Sequence, residues 1–233
     1  SAAQKLAATI QQQRPKESIG HLIEGDIESS RKAWSKAAHA YRRALERNAN
    51  DSEAAIKLHV ALNNAGQLQE AGRFADAWLT NQPSDPSFPG HLAEEAVRDK
   101  RFTEAESLYQ RALDARPQRA ADWNSLAQVR LQLNKPALEA AQEAVRRGPD
   151  SAYHWQTLAL AQSAAGQHQE ALANQRKAII MSGQQPDARL VLAKLLLAAG
   201  KRDEARSELQ SLTTGSSEFG GRSEASDLLH QLR

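Results

Sequence analysis

Residues 120–149 read AADWNSLAQVRLQLNKPALEAAQEAVRRGP, and residues 152–180 read AYHWQTLALAQSAAGQHQEALANQRKAII. Laid over one another, Trp123 falls on Trp155, Leu126 on Leu158 and Ala127 on Ala159. After a slip of two residues, Ala137 falls on Ala171 and Ala144 on Ala178. The same register runs outward from this pair. Ala3, Ala37, Ala71 and Ala105 stand 34 residues apart, and Ala137, Ala171 and Ala205 follow at 32, 34 and 34. A period of this length belongs to paired helices that cannot bury an apolar face alone and stack on their neighbours. The chain is therefore read as all-α, a right-handed α-solenoid of about thirteen or fourteen helices.

Counting each unit from nineteen residues before its alanine gives 18–51, 52–85, 86–119, 120–151, 152–185 and 186–219. The seventh position holds Leu58, Leu92, Leu126, Leu158 and Leu192, and the eighth holds Gly25, Ala93, Ala127, Ala159 and Ala193. A large apolar residue beside a small one gives the first helix a buried stripe. On the second helix, Tyr41, Ala75, Tyr109, Ala141, Gln175 and Leu209 follow the key alanine by four. Pro83, Pro117 and Pro149 close units, because proline cannot continue a helix and biases its predecessor away from helical angles. Gly66, Gly166 and Gly200, with Lys32, Lys100 and Asn134 at the equivalent site, mark the left-handed turn between paired helices. Ser52, Asp85 and Ser151 stand where an N-cap is expected. The unit 120–151 is two residues short around Asn134, Lys135 and Pro136, a loss predicted to tighten the turn and leave both helices intact.

This pattern closely resembles the tetratricopeptide repeat (TPR). The resemblance rests on Trp123, Leu126, Ala127, Ala137, Ala141, Ala144 and Pro149 in one unit and Trp155, Leu158, Ala159, Ala171 and Ala178 in the next, and it extends over nearly the whole chain. Glu24 and His59 depart from it, standing where an apolar and a small residue belong. The ends differ. Residues 1–17 read as the second helix of an incomplete upstream repeat, so the chain is expected to be the C-terminal part of a longer array. Residues 220–233 read as a capping helix after a Gly/Ser-rich break at Thr213–Gly221, with Ala225, Leu228, Leu229 and Leu232 on one side.

Composition excludes several classes. Thirty basic and 28 acidic residues leave a net charge of +2, well mixed, without the basic stripe and aromatic partners of a nucleic-acid binder. The absence of cysteine removes disulfides and thiolate metal sites. No apolar run approaches the roughly 18 residues of a membrane span. His21, His39, His59, His91, His154, His168 and His230 show no HxxxH or HExxH spacing and fall in different units, so they read as surface or half-buried solenoid residues, with no metal expected. Carboxylates such as Glu94–Glu95 and Glu104/Glu106 are too close in sequence to face one another on a helix, and no phosphate loop is present. Trp34, Trp78, Trp123 and Trp155 read as packing between helices. No enzyme and no cofactor is expected.

A partner is expected on the face lined by the first helices, at the second, fifth, ninth, twelfth and thirteenth positions. Those sites hold Asn63, Asn64, Glu94, Arg98, Asn124, Gln128, Gln132, Tyr153 and Gln156, with His91 one place off the register. Amides both donate and accept, so the set suits an extended peptide or a polar polymer such as a polysaccharide. A solvated face without a ligand is the plainer reading. Some members of the family clamp a C-terminal carboxylate with basic residues. Here the clamp sites read Ile56, Val60, Gly90, Glu94, Asn124, Gln128, Gln156 and Leu160, which argues against a tail receptor.

Two stretches are similar to something narrower. AIKLHVALNNAGQLQEA (55–71) and ARLVLAKLLLAAGKRDEARSELQSL (188–212) resemble the later repeats of bacterial TPR lipoproteins that accompany exosortase (PEP-CTERM) and exopolysaccharide clusters. That likeness implies a non-catalytic scaffold in an envelope assembly, periplasmic or associated with the outer membrane. The rivals are a cytosolic adaptor holding a partner peptide, and the TPR arm of a larger enzyme such as a glycosyltransferase.

Overall fold

The computed structural model describes residues 2–214 and 219–232. Fourteen α-helices and no strand occur among them: α1 (Ala2–Gln13), α2 (Ile19–Ser30), α3 (Trp34–Arg47), α4 (Ser52–Asn64), α5 (Leu68–Asn81), α6 (Ser87–Arg98), α7 (Phe102–Ala115), α8 (Ala120–Gln132), α9 (Leu138–Arg147), α10 (Ala152–Ala164), α11 (His168–Met181), α12 (Pro186–Ala198), α13 (Arg202–Thr214) and α14 (Arg222–Gln231). The all-α reading holds. The contacts group the chain into two compact units, residues 1–92 and 93–233, with the division falling inside α6.

The turns within helix pairs share one construction. Lys32, Gly66, Lys100, Asn134, Gly166 and Gly200 all have positive φ, between 52° and 78°. One residue later, a backbone N–H reaches back five residues: Ala33 to Glu28, Gln67 to Leu62, Arg101 to Ala96, Lys135 to Arg130, Gln167 to Gln162 and Lys201 to Leu196. This 6→1 bond closes the first helix on a left-handed residue. Glycine takes that conformation freely, whereas the two lysines and the asparagine hold it at some cost.

In the first unit, Ala37 and Ala71 are 0% and 1% exposed. Gly25 is required by a close approach, because a Cβ there would lie 2.2 Å from the Tyr41 ring. The Tyr41 hydroxyl donates to Asp26 Oδ1 at 2.8 Å. Burial first, then that carboxylate, raises its pKa. The α4 cap is Asp51, whose side chain accepts from Ala54 N at 3.0 Å. The expected Ser52 is instead the first helical residue. Asp85 performs as expected and does more, accepting from Ser87 N and from the Trp78 indole, both at 2.8 Å. Helix α1 lies on α2, with Ala7 buried and Gln11 donating to Gly20 O and Glu24 Oε2. Ala3 is exposed, which departs from the register.

In the second unit, Ala105, Ala137, Ala171 and Ala205 are between 0% and 4% exposed. The short repeat departs from expectation. From the positive-φ residue to the key alanine there are five residues at Lys32, Gly66, Lys100, Gly166 and Gly200, and three at Asn134. The missing pair therefore removes the first turn of the second helix. Helix α9 has 10 residues against 14 in α7 and α11, and Ala137 stands before it. The helix is not intact. A cavity of about 380 Å³ opens in place of that turn, lined by Leu131, Pro136, Leu138 and the α10 alanines 161, 164 and 165.

Trp123 and Trp155 also differ from expectation. Both are only partly buried, and each indole donates to the proline carbonyl that ends the preceding repeat, Pro117 at 2.8 Å and Pro149 at 2.7 Å. Arg147 and Lys177 lie over their rings. These tryptophans brace the turns between repeats. Ser151 stands at the N-cap of α10 but makes no side-chain cap bond. At the far end, α14 packs on α13, with Ala225 and Leu232 joining the cluster of Leu196, Leu209 and Leu212. Arg206 donates to Leu232 O at 2.7 Å. Residues 215–218 of the break at Thr213–Gly221, together with Arg233, lie outside the described residues.

Candidate functional site

Helix α8 carries the amides Asn124, Gln128 and Gln132 at intervals of four, and α10 carries Gln156. In α8 the buried side carries Leu126, Ala127 and Val129. That leaves Gln128 and Gln132 exposed and Asn124 half-buried, as the register predicts. In the second unit, α6, α7, α8 and α10 enclose a cavity of about 620 Å³. Phe102, Val129, Leu131 and Leu160 give it an apolar floor, while Arg98, Lys100, Gln128 and Gln132 give it a polar rim. Tyr109 and Ser125 complete the wall. They share a hydrogen bond, and burial raises the Tyr109 pKa despite it.

Three predicted residues, Arg98, Gln128 and Gln132, thus meet at one cavity. Arg98 closes the last turn of α6, its side chain 63% exposed and 3.7 Å from Glu95. Gln128 also donates to Thr157 at 3.3 Å, which ties α8 to α10. Other predicted residues are placed differently. Glu94 and Tyr153 are exposed, and Tyr153 keeps 74% of its surface. Gln156 is half-buried and accepts from Gln175, so its amide is partly engaged in the fold. In the first unit, Asn64 is exposed and donates to Val60 O of its own helix. His91 is half-buried, stacked edge-on against His59 with ring centroids 5.7 Å apart. Sequence spacing, which assigned these histidines to separate units, missed that they meet.

A buried amide ladder was also missed. Gln175 is fully buried and donates to Ala188 O at 2.7 Å across to α12. Asn174 donates to Gln162 at 2.7 Å across to α10. The one available signal was Gln175 itself, an amide at a site where other repeats carry alanine, tyrosine or leucine. Asp122 is similar. It is 4% exposed where Ala54, Phe88 and Ala188 occupy the equivalent position, and it pairs with Arg119 at 3.2 Å. Desolvation outweighs Arg119 and Arg116 and raises its pKa. No helix among the described residues is long and apolar enough to cross a membrane.

Paired helices with a left-handed closing turn and a cavity on the first-helix face define an α-helical repeat scaffold. Family models described as tetratricopeptide repeat match residues 25–86, 92–152 and 162–214, and the chain belongs to that family. Such repeats build protein–protein interaction scaffolds. Among solved structures, pilF of Pseudomonas aeruginosa is 19% identical, with a TM-score of 0.64 over 90% of this chain and 96% of that one. A tetratricopeptide repeat protein from Parabacteroides merdae is 14% identical, with a TM-score of 0.68 over 92% and 85%. YrrB, described as a TPR protein with an unusual peptide-binding site, is 15% identical, with a TM-score of 0.54 over 95% and 97%. At these identities the likeness concerns the fold. None of the curated proteins matches the chain.

Proposed function

We propose that the chain is a non-catalytic scaffold that holds an extended segment of a partner protein on the first-helix face of its second unit. One observation carries the reading: the cavity of about 620 Å³ pairs an apolar floor with a rim of amides. An extended peptide has a side chain for the floor and unsatisfied N–H and C=O groups for the rim. Gln128 and Gln132 donate and accept along the peptide backbone. Phe102, Val129 and Leu160 receive one apolar side chain, and Arg98 favours a neighbouring carboxylate or carbonyl. Asn124, Tyr153, Gln156 and Glu94 extend the site, and Asn64 and His91 supply the corresponding face of the first unit.

The peptide-binding site of YrrB, a fold neighbour, supports peptide over polysaccharide as the first ligand to test. A partner peptide thereby moves ahead of a polysaccharide as the ligand. The likeness of residues 55–71 and 188–212 to envelope TPR lipoproteins supports an envelope assembly as the setting in which the scaffold works, with a cytosolic adaptor as the alternative.

A displayed library of random 12-residue peptides, selected on the full chain, tests the proposal. Selected ligands are expected to share one large apolar residue within an otherwise polar sequence. Asn124→Ala/Gln128→Ala is expected to weaken them about tenfold with circular dichroism unchanged. Selected ligands that bind this variant as tightly as wild type would move the site to another surface.

A further inference from the structure

We infer that the notch left by the short repeat is a second anchor pocket, which receives an aromatic or large aliphatic side chain of the same extended peptide that the amide-rimmed cavity holds. The inference rests on the peptide reading given above. The notch is the cavity of about 380 Å³ between α8, the start of α9 and α10, and it lies wholly within the second unit. Its walls are apolar, built from Leu131, Pro136, Leu138, Ala161 and Ala164. Lys135, the one charged residue lining it, is paired with Glu106, so the notch suits an apolar group better than an ion. Pro136 and Ala164 are exposed, which opens it to solvent. A void of roughly 150 Å³ already takes a benzene ring, so this one has room for an aromatic side chain.

The full-length repeats show what belongs in that space. Two residues after the positive-φ residue, the second helix opens with Trp34 in α3, Leu68 in α5 and Phe102 in α7, whereas α11 and α13 open with His168 and Arg202. Phe102 is half-buried and forms part of the floor of the cavity of about 620 Å³. The two-residue loss removes the counterpart of Phe102 from the turn after α8 and leaves the apolar walls that such a side chain would cover. Position ties the notch to the ligand. Leu131 lines both cavities, and Leu160 of the larger is followed in sequence by Ala161 of the smaller. Helices α8 and α10 touch directly, and packed helices stand about 8–10 Å apart. An extended peptide in the polyproline II form rises about 3.1 Å per residue with three residues per turn. A peptide with one side chain in the larger cavity therefore reaches the notch about three residues later, with a side chain on the same side of its backbone.

Peptides selected from the 12-residue library on the full chain test the inference, with affinities read by fluorescence anisotropy. The larger cavity alone asks for one large apolar residue. The notch asks for a second about three residues away, and selected peptides are expected to carry both. Alanine at the second anchor is expected to weaken binding to wild type about tenfold. Replacing Lys135-Pro136 by Arg-Phe-Thr-Glu, the residues at 101–104, restores the missing turn and fills the notch. This graft is expected to raise the denaturation midpoint yet to weaken the two-anchor peptide about tenfold, and to bind it no better than its alanine-substituted form. Ala164→Phe, at an exposed position of α10, fills the notch from its other wall and is expected to weaken binding alike, which frees the test from the folding of the graft. Selected peptides with a single anchor, or a two-anchor peptide that binds both filled variants as it binds wild type, overturn this inference and leave the amide-rimmed site standing. Peptide-free self-association that both variants abolish would also overturn it, by giving the notch to a second copy of the chain. Recovery of no peptide, or binding indifferent to Gln128→Ala/Gln132→Ala, overturns both readings.

Discussion

Ala171 keeps 1% of its surface, and its counterparts Ala37, Ala105 and Ala205 keep none. Such a site has no room for additional methyl groups, so Ala171→Leu is expected to cost about 1–3 kcal/mol through overpacking. Urea denaturation measures it, and a midpoint equal to wild type would show that the helix crossing is not close-packed. Asp122 is the opposite case, a charge where three other repeats bury Ala54, Phe88 or Ala188. Its folded-state pKa lies above the ordinary carboxylate value because burial outweighs Arg119 and Arg116. The folded chain then holds this proton more tightly than the unfolded chain. The carboxylate therefore destabilises the fold at neutral pH, and that penalty fades as pH falls through the raised value. Asp122→Asn is expected to raise the denaturation midpoint at pH 7 and to lose that advantage in acid. An equal gain at both pH values would remove the carboxylate's ionisation from the account. The alanines were legible in the sequence because a buried crossing repeats with the unit. Asp122, Gln175 and the meeting of His59 with His91 were not, because each depends on what the adjacent repeat presents to it.

At the scale of elements, Lys32, Lys100 and Asn134 show what alignment of repeats can recover. None favours positive φ as glycine does, yet each stands in register with a glycine and closes its helix with the same backbone bond. Helix α9 shows the limit of that alignment. The register located the two-residue loss at Asn134–Pro136 but not on which side of the turn it falls. The positive-φ residue stays in phase with α8 and the alanine with α9, so the whole loss comes from the start of α9. Replacing Lys135-Pro136 by Arg-Phe-Thr-Glu, the residues found at 101–104 in the preceding repeat, restores the length. The graft is expected to add about one helical turn by far-UV circular dichroism. Filling the cavity of about 380 Å³ is expected to raise stability by about 0.5–2 kcal/mol. Unchanged helicity would mean that the missing turn is set by α10 rather than by chain length.

At the scale of the whole molecule, the proposed function rests on one face of stacked helices. Stacking leaves each first helix with a side that its neighbours do not cover, and the residues there are free to vary without disturbing the core. That is why the sequence proposes a face while leaving its occupant open. Arg98, Gln128 and Gln132 converge on one cavity, but Gln156 is partly drawn into the buried amide ladder, a distinction that spacing alone does not make. The most direct test of the account is the affinity of a library-selected peptide for three forms of the full chain, read by fluorescence anisotropy. These are wild type, Gln128→Ala/Gln132→Ala, and Gln142→Ala on the exposed side of α9. The account predicts about a tenfold loss for the double variant, none for Gln142→Ala, and little change with salt for the amide contacts. Equal affinity for all three forms, or a loss confined to Gln142→Ala, would contradict it.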